Sequence, residues 1–298
     1  MRAGEEPDSL DRATREFTAA RPRLFGIAYR VLGSATDAED IVQEAWLRWQ
    51  RADRADVLDP TAFLATVASR LAINLAQSAW KRHETYTGPW LPEPVDTSRD
   101  PQLGAERAEA LDLAVLFLLQ RLNPVERAAY VLREAFDYPY RQIAEMLETS
   151  EANTRQLVSR ARRHLSGERR DPVSPEAHRR LLEVFLAAAQ NGDLSVLEDV
   201  LTADVVSYTD GGGIRGATRI PVVGRLRVAK YLAAFAPRFW PPTQVRRVEA
   251  NGRPAVLVTT GGEAVALLSI DASERGIERV MWVMNPAKLA PYVASLDG

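Results

Sequence analysis

The loop at 210–216 reads DGGGIRG and places its glycines at the spacing G-x-G-x-x-G. In dinucleotide enzymes such a turn lets a pyrophosphate approach the backbone where a helix begins. The next residues, ATRIPVVG, do not fit, because they hold β-branched residues and a proline where that helix should start. The acid expected about 20 residues further on is also missing, since the next carboxylate after Asp210 is Glu249. The run is therefore better described as an aspartate and three glycines in a flexible loop that permits close approach.

General acid–base catalysis needs a base and an acid paired in one pocket. One histidine, His178, lies in the C-terminal part, where we expect it to be exposed. Asp204, Asp210 and Glu263 are the carboxylates expected to approach a pocket, and none has an identifiable partner. Cysteine is absent, which excludes disulfides and cysteine-based metal or redox sites. We therefore expect no enzyme activity, no catalytic residues, no metal and no cofactor.

Three aromatic residues of the same part, Tyr208, Trp240 and Trp282, are candidates to line an apolar cavity that senses a ligand. Aromatic side chains also commonly fill a core. Both interpretations remain open from the sequence.

The segment 140–165, YRQIAEMLETSEANTRQLVSRARRHL, predicts two helices joined by a tight turn at 148–150. This is the pattern of a helix-turn-helix, whose second helix enters the major groove of DNA. Polar residues that could contact base edges crowd the start of that helix: Glu151, Asn153, Thr154, Arg155 and Gln156. Three arginines further along suit phosphates: Arg160, Arg162 and Arg163. The alternative is an ordinary charged surface helix.

Two earlier helices carry polar faces. The helix expected after Asp59-Pro60 has an apolar face of Phe63, Val67, Leu71 and Leu75 and an opposite polar stripe of Arg70, Asn74, Ser78, Lys81 and Arg82. Trp80 either stacks on a base or packs in the core. The helix before it, capped by Thr36 or Asp37, places an acidic and polar set beside an aromatic ring: Asp37, Glu39, Asp40, Gln43, Glu44 and Trp46. That face suits a basic, partly apolar protein groove, although a solvated helix face has the same composition.

These residues lie on elements that change character along the chain. Helices are expected over 10–83, a proline-bearing linker over 84–102, and helices again over 105–166. The remaining residues predict helices at 175–190, 194–201 and 225–236 and strands at 205–209, 244–250, 254–260, 264–271 and 276–284. The pattern favours helices first and then an α+β domain with an antiparallel meander.

Length and composition agree with a multidomain globular protein. The chain has 298 residues, 46% of them hydrophobic, and a net charge of −2. The charge is uneven, since residues 1–60 are acidic whereas 151–170 hold six arginines and two glutamates. No apolar run is long enough to span a membrane and the N-terminus does not resemble a secretory signal. We therefore expect a cytoplasmic protein with no membrane contact.

Two stretches, RLFGIAYRVLGSATDAEDIVQEAWLRWQRA and FLATVASRLAINLAQSAWKRHE, resemble region 2 of the extracytoplasmic-function (ECF) sigma factors of bacterial RNA polymerase. The helix-turn-helix lies where region 4 should be, so the resemblance covers roughly residues 10–167. It implies that core RNA polymerase and promoter DNA are partners. The acidic face would bind the clamp helices of the polymerase, the polar stripe the −10 element, and the helix-turn-helix the −35 element. Asn74, Lys81 and Arg82 match the −10 pattern best.

The C-terminal part resembles a SnoaL-like domain of the nuclear-transport-factor-two superfold, a cone of sheet and helices. Sigma factors of the sigma-J type carry this extension and share three motifs that are present here: Trp90-Leu-Pro-Glu-Pro94, Asp210-Gly-Gly-Gly213 and Asn285-Pro-Ala-Lys-Leu289. The lysine common after the glycines is replaced by Ile214, followed by Arg215. The resemblance implies intramolecular regulation through these motifs, with Trp90, Leu91, Pro92, Asp210, Gly211, Gly212, Gly213, Asn285, Pro286, Lys288 and Leu289 as the residues concerned.

The expected fold is thus two all-α sigma domains, a region 2 bundle and a region 4 helix-turn-helix, followed by an α+β SnoaL-like cone. The boundaries predicted are 1–84 for region 2, 85–104 for the linker, 105–170 for region 4 and 174–298 for the regulatory domain. Two alternatives stay open. A one-component regulator with a small-molecule sensor leaves residues 10–83 unexplained, and a SnoaL-like enzyme with a DNA-binding appendage needs an acid–base pair.

Overall fold

The computed structural model describes residues 7–54, 57–83, 86–98, 112–166, 173–214 and 217–297. The chain forms two compact units. The first comprises Met1–Arg82, Gln102–Ala110 and Leu118–Gly167, and the second comprises His83–Pro101, Leu111–Phe117 and Glu168–Gly298. The first unit is helical and the second is α+β.

Seven helices are described before residue 167: α1 (Pro7–Leu32), α2 (Ala35–Arg51), α3 (Pro60–His83), α4 (Leu113–Leu119), α5 (Pro124–Glu134), α6 (Tyr140–Met146) and α7 (Glu151–Ser166). The predicted break between α1 and α2 is confirmed, with Gly33 at φ 69°. The predicted cap is wrong, because Ser34 rather than Thr36 or Asp37 accepts the capping hydrogen bond, from the backbone N–H of Asp37 at 3.0 Å.

The third helix begins as predicted, since the Asp59 carboxylate accepts from the N–H of Ala62 at 3.0 Å. Its buried stripe differs from the prediction. The predicted apolar residues Phe63, Val67, Leu71 and Leu75 are half-buried, whereas Leu64, Ala68, Ala72 and Ala76 are buried. Short alanine side chains let neighbouring helices approach closely, so they form the contact face although larger residues lie beside them.

A buried arginine joins the early and late helices of the first unit. Arg127, at the start of α5, donates to the carbonyls of Val31 at 2.6 Å and Leu122 at 3.0 Å. Burial lowers the pKa of Arg127 to about 9. On the same side, the guanidinium of Arg30 lies 4.9 Å from the ring centroid of Phe136. The helices of the two predicted sigma regions therefore pack in one compact unit.

The second unit is built on a six-stranded sheet of order β2-β1-β6-β5-β4-β3. The strands are β1 (Leu201–Asp210), β2 (Val222–Val223), β3 (Thr243–Ala250), β4 (Arg253–Thr260), β5 (Glu263–Ser273) and β6 (Gly276–Val283). The predicted antiparallel meander is confirmed for β3 to β6. The first strand instead pairs parallel with β6, which makes the sheet mixed. Parallel pairing needs a crossover, and the chain between these strands supplies a long one.

Both faces of the sheet are buried at β4, β5 and β6, and successive side chains of each strand point to opposite sides. Val256, Val258 and Trp282 join a cluster with α8 (Pro175–Asn191), α9 (Leu194–Val200) and α10 (Arg225–Phe239). Side chains on the other face pack against the linker, α4 and α11 (Pro286–Asp297): Leu257, Leu267, Met281, Val283, Leu91, Leu113, Ala114, Leu289 and Tyr292. Burial of both faces explains why β4, β5 and β6 read as largely apolar runs, whereas the edge strand β3 is mostly exposed or half-buried.

The terminal helix α11 is a feature that the sequence interpretation missed. Its signal was present, because Asn285-Pro286 repeats the Asn123-Pro124 pattern that predicted α5. Asn285 accepts from the N–H of Ala287 at 3.0 Å, and Pro286 is the first helical residue.

Candidate nucleic-acid interface and linker site

The predicted helix-turn-helix is present as α6, a turn and α7. Glu148 in the turn has φ 53°, in the left-handed region. The hydroxyl of Ser150 accepts from the N–H of Asn153 at 3.2 Å and caps α7. Leu157 and Val158 are buried, so the opposite, polar face of α7 is left exposed.

The start of α7 exposes most of the predicted base-reading side chains: Glu151, Asn153, Arg155 and Gln156. Thr154 is a correction, because it is fully buried and its hydroxyl donates to the carbonyl of Ser150 at 3.1 Å. Its spacing places it on the core side of the helix beside Leu157 and Val158. Arg155 pairs with Glu151 at 2.5 Å and lies 4.5 Å from the ring centroid of Tyr140, contacts that orient its guanidinium.

The three later arginines of α7 differ in their surroundings. Arg160 pairs with Glu126 at 2.8 Å, and that glutamate side chain is only 7% exposed. Arg162 pairs with the more exposed Glu134 at 2.7 Å, and Arg163 is exposed. A phosphate would have to draw Arg160 away from a buried carboxylate, so Arg162 and Arg163 are better placed to bind one.

The polar stripe of α3 is exposed at Arg70, Asn74 and Ser78. The side chains of Trp80, Lys81 and Arg82 lie outside the described residues.

Arg70 is bound to the helix-turn-helix. Its Nε donates to the carbonyl of Met146 at 3.0 Å and its Nη2 to that of Glu145 at 3.0 Å. Its Nη1 lies 3.0 Å from the carboxylate of Glu148. These three contacts, here called the Arg70 clasp, place a cation at the C-terminal end of α6, where the helix dipole favours positive charge.

The acidic face of α2 is arranged as predicted around an aromatic side chain. Asp40 and Gln43 are exposed, and Asp37, Glu39, Glu44 and Trp46 are half-buried. Glu39 pairs with Arg21 at 2.7 Å and Glu44 with Arg48 at 2.8 Å. The ring of Trp46 packs 4.9 Å from that of Phe17.

Asp210, at the end of β1, is the centre of the linker site and is completely buried. One carboxylate oxygen accepts from the backbone N–H of Leu91 at 2.9 Å and lies 2.7 Å from Lys288 Nζ. The other accepts from the hydroxyl of Tyr86 at 2.5 Å and the N–H of Gly212 at 3.2 Å. These contacts, here called the linker clamp, fix the linker to the C-terminal domain. Burial and then the hydrogen bond to Asp210 raise the pKa of Tyr86 above its ordinary range.

Lys288 is buried in the linker clamp and is bound on several sides. Besides Asp210, its Nζ donates to the carbonyl of Leu91 and lies 3.9 Å from the ring centroid of Trp90. Burial lowers the pKa of Lys288, and the Asp210 carboxylate opposes that shift. A buried ammonium is tolerated here because a carboxylate, a carbonyl and a π face surround it.

The glycines of the Asp210–Gly213 loop allow another segment of the chain to approach the backbone closely. Gly212 has φ 57°, and a Cβ there would lie 2.7 Å from the side chain of Asn285. Asn285 in turn donates to the Tyr86 hydroxyl at 3.0 Å. The aspartate–glycine loop, the linker motif and the Asn285–Leu289 motif therefore meet at one place. Arg215, the expected substitute for the family's lysine, lies outside the described residues.

A second set of linker contacts was missed by sequence reasoning. Asn251, at φ 56° in the β3–β4 turn, accepts from the N–H of Val95 at 3.3 Å and donates its own N–H to the carbonyl of Val95 at 2.9 Å. The hydroxyl of Thr97 donates to Glu249 at 2.7 Å. Asn251-Gly252 is a recognisable hairpin dipeptide, but no local signal pairs it with a linker 156 residues earlier.

The first residues of α4 also lie on this face of the domain. Asp112 pairs with Arg253 at 2.9 Å, and burial raises the pKa of that aspartate. The ring of Phe117 packs 4.7 Å from that of Tyr208. Tyr208 therefore does not line the cavity formed by Trp240 and Trp282 on the opposite face, which corrects one of the three predicted lining residues.

The candidate acid–base groups do not converge. His178 is 3% exposed, which corrects the expected exposure, and its Nε2 lies 3.1 Å from the carbonyl of Ile270. Burial lowers the pKa of this histidine. Asp204 and Glu263 are exposed, and Asp210 is occupied by the linker clamp. Within the described ranges, no cluster of three or more His, Asp or Glu side chains could hold a metal ion. No helix there is long and apolar enough to cross a membrane.

The comparisons with known proteins agree with this geometry. The sequence model of sigma-70 region 2 matches residues 17–82, and that of sigma-70 region 4 matches residues 112–165. The ECF RNA polymerase sigma factor SigJ of Mycobacterium tuberculosis is 41% identical over 233 residues, which covers 76% of this chain and 74% of SigJ. A probable ECF sigma factor of that species, SigI, is 33% identical over 97% of this chain and 98% of its own length.

The fold agrees as well. A crystal structure of M. tuberculosis SigJ superposes with a TM-score of 0.77 at 35% identity, over 93% of this chain and 98% of that one.

Proposed function

Because this chain belongs to the ECF family of RNA polymerase sigma factors, we propose that its SnoaL-like C-terminal domain regulates initiation in cis by holding the linker between region 2 and region 4. Sigma factors bind core RNA polymerase and direct promoter-specific initiation of transcription. The observation that carries the proposal is the burial of Asp210 against the backbone N–H of Leu91 and the ammonium of Lys288.

The linker clamp acts on the path of the chain between the two DNA-binding regions. Residues 86–98 and residues 112–117 lie on either side of the segment 99–111, and both stretches bind the C-terminal domain. Because the C-terminal domain already holds both stretches, less conformational entropy is lost when region 2 and region 4 bind the promoter than with a free linker. The clamp therefore favours one separation of region 2 and region 4, and so one spacing of the −10 and −35 elements.

The proposed DNA contacts follow the exposed faces. The start of α7 would read the −35 element through Glu151, Asn153, Arg155 and Gln156, with Arg162 and Arg163 on phosphates. The α3 stripe of Arg70, Asn74, Ser78, Lys81 and Arg82 would take the −10 element. The acidic face of α2, with Trp46 beside Asp40 and Gln43, would bind core polymerase. The proposed domains keep the boundaries 1–84, 85–104, 105–170 and 174–298.

We propose no catalytic role for the C-terminal domain. The relatives that match the chain over most of its length are named as sigma factors. Asp210, the carboxylate placed deepest among the candidates, already accepts four hydrogen bonds or ion-pair contacts from the chain itself. It is therefore occupied as a structural acceptor.

The test is in vitro transcription with core polymerase on promoters whose −10 to −35 spacer is native, one base pair longer or one base pair shorter. Asp210→Asn removes the charge that Lys288 and the linker bind, and Asp204→Asn changes an exposed aspartate of the same strand as the control. We expect D210N to lower transcription from the native spacer several-fold and to flatten the spacer preference, whereas D204N leaves both unchanged. A D210N protein whose linker is cleaved faster by protease, yet which keeps the wild-type spacer preference, would contradict regulation through the clamp.

The residue assignments have a separate readout. Gln156→Ala should lower transcription and relax discrimination at one −35 base pair, whereas Arg163→Ala should weaken binding to all sequences and reduce its salt dependence. Equal effects of both variants on every −35 sequence would contradict base reading by α7.

A further inference from the structure

One stretch of the C-terminal domain carries positive charge with no acidic side chain to balance it. Between Asp210 and Glu249 the sequence has eight arginines or lysines and no aspartate or glutamate, in a chain whose net charge is −2. Four of these cations are exposed on α10 or just before it: Arg219, Arg225, Arg227 and Lys230. In the part of the chain that the structure describes, none of the four forms a salt bridge, whereas the exposed Arg247 of β3 pairs with Glu183 at 2.5 Å.

Aliphatic side chains lie at the surface among these cations. Ile220 is 77% exposed, Val223 52% and Leu226 49%. They are three residues apart, and three residues of extended chain span at most about 11 Å, so the three side chains share one patch. Leu226 and Lys230 are one turn apart on α10, on the side opposite the buried Leu232. We call this surface the basic-apolar patch: Arg219, Ile220, Val223, Arg225, Leu226, Arg227 and Lys230.

The sheet holds the basic-apolar patch in place. Val223 of β2 is paired in antiparallel register with Val206 of β1. The N–H of the next residue, Gly224, donates to the carbonyl of Val205 at 2.8 Å, and α10 begins directly after it. A surface that is already fixed in this way loses little conformational entropy when a partner binds.

The composition of the patch favours an acidic protein surface over nucleic acid or lipid. Phosphates of DNA are bound by cations and polar donors, and single strands also need aromatic side chains for stacking. Segments that bind membrane surfaces combine cations with tryptophan or phenylalanine. The patch has aliphatic side chains instead, and three of its four cations are arginine, the cation that is enriched at protein interfaces whereas lysine is depleted.

From these observations we propose that the basic-apolar patch is a docking surface for core RNA polymerase, where it binds an acidic protein surface with exposed aliphatic side chains. Core polymerase is the protein partner that membership of the ECF family supplies. Opposite charge steers the two surfaces together, and contact removes Ile220, Val223 and Leu226 from water. The face of α2 proposed above to bind polymerase is acidic, so the two faces suit different polymerase surfaces. The docking surface is independent of the linker clamp, because no residue of the patch belongs to the clamp.

The first test reverses charge in the full chain. Arg225 and Arg227 lie in the first turn of α10, where glutamate suits the helix dipole, so the double variant R225E/R227E should fold. The matched control is R179E/R180E, which reverses two exposed arginines of α8. Fluorescence anisotropy of the labelled chain measures its affinity for core polymerase. We expect R225E/R227E to bind about tenfold more weakly at low salt, with the difference shrinking as salt rises, and the control to bind like wild type.

The second test removes apolar surface without changing charge. Leu226→Ser takes away an aliphatic side chain of the patch, and Val184→Ser changes a similarly exposed one on α8, 44% against 49%. We expect L226S to lower the affinity for core polymerase about fivefold at every salt concentration and V184S to leave it unchanged. If R225E/R227E does not fold, this pair still decides the matter.

Other partners are separated by further probes. These are duplex DNA without a promoter sequence, vesicles of phosphatidylcholine with phosphatidylglycerol, and the chain alone in sedimentation experiments. Wild-type affinity for core polymerase in both R225E/R227E and L226S would overturn the proposal. So would a loss confined to DNA, to the vesicles or to self-association, because the patch would then bind that partner instead. None of these measurements uses spacer preference, so failure of the linker clamp leaves them intact.

Discussion

At the scale of single residues, Tyr86 shows how burial sets the energetics of the linker clamp. Its hydroxyl donates to Asp210, and burial, followed by that bond, raises the pKa of Tyr86 above the ordinary 10.0. The neutral phenol is therefore favoured in the folded state. Its contribution to stability is fully present below pH 10, and it is lost as pH rises towards the raised folded pKa, because there the folded protein holds the proton that the unfolded chain releases.

We expect Tyr86→Phe to leave the tyrosinate absorbance titration near pH 10 unchanged, because Tyr86 does not ionise there in the folded protein. The free energy of unfolding should fall by about 1–2 kcal/mol at neutral pH, through the donor lost from Asp210. Above pH 10 it should decline less steeply with pH than in wild type. Denaturant titrations at a series of pH values measure both effects. A tyrosine that ionises near pH 10 in the folded wild type and is missing from Y86F would refute the assignment.

At the scale of elements, local sequence signals predicted most helices and the strands of the meander, because caps, prolines and apolar periods act within a few residues. They did not predict the parallel pairing of β1 with β6, which depends on the whole crossover. Asn285-Pro286 carried a helix signal that was overlooked. Thr154 was placed on the wrong side of α7 because its polarity was weighed above its helical position.

The candidate site, too, was predicted only in part from the sequence. The three motifs that form the linker clamp were identified from the sequence, and their meeting at Asp210 was not. Tyr86, Asn251 and Arg253 belong to no motif, and each binds a residue far away in the sequence. Such tertiary contacts join residues that are far apart in the sequence, so no local pattern predicts them.

The Arg70 clasp gives an element-scale prediction. Arg70→Ala leaves the last carbonyls of α6 without their cation and should lower the free energy of unfolding by about 1–2 kcal/mol. Amide hydrogen exchange in the turn at 147–150 should speed up. Asn74→Ala, an exposed change one turn further along α3, is the matched control and should do neither. DNA bound at the α3 stripe would compete with these contacts for Arg70. Unchanged amide hydrogen exchange at 147–150 in R70A would show that the Arg70 clasp does not restrain the helix-turn-helix.

At the scale of the whole molecule, the C-terminal sheet depends on segments from both ends of its unit. One face is covered by the linker residue Leu91, by Leu113, Ala114 and Phe117 of α4, and by α11. Deleting residues 174–298 would therefore remove the C-terminal domain, to which we assign regulation as a proposal, and also expose the apolar residues that it covers. Loss of transcription in such a truncation would not by itself identify regulation.

We expect the chain ending at residue 173 to bind an apolar fluorescent dye and to self-associate in sedimentation experiments, because apolar side chains that lose their cover drive association. Replacing Leu91 and Phe117 by serine in that truncation should reduce both effects, whereas serine at the exposed Leu47 should not. Deleting only residues 285–298 removes Lys288, the cation that pairs with the buried Asp210, together with the core residues Leu289 and Tyr292. Removing one partner of a buried ion pair alone costs about 3–5 kcal/mol. That short deletion should therefore destabilise the C-terminal unit and free the linker together. A 285–298 deletion that melts like the full chain and keeps a protease-resistant linker would mean that neither Lys288 nor the rest of α11 holds the linker on the C-terminal unit.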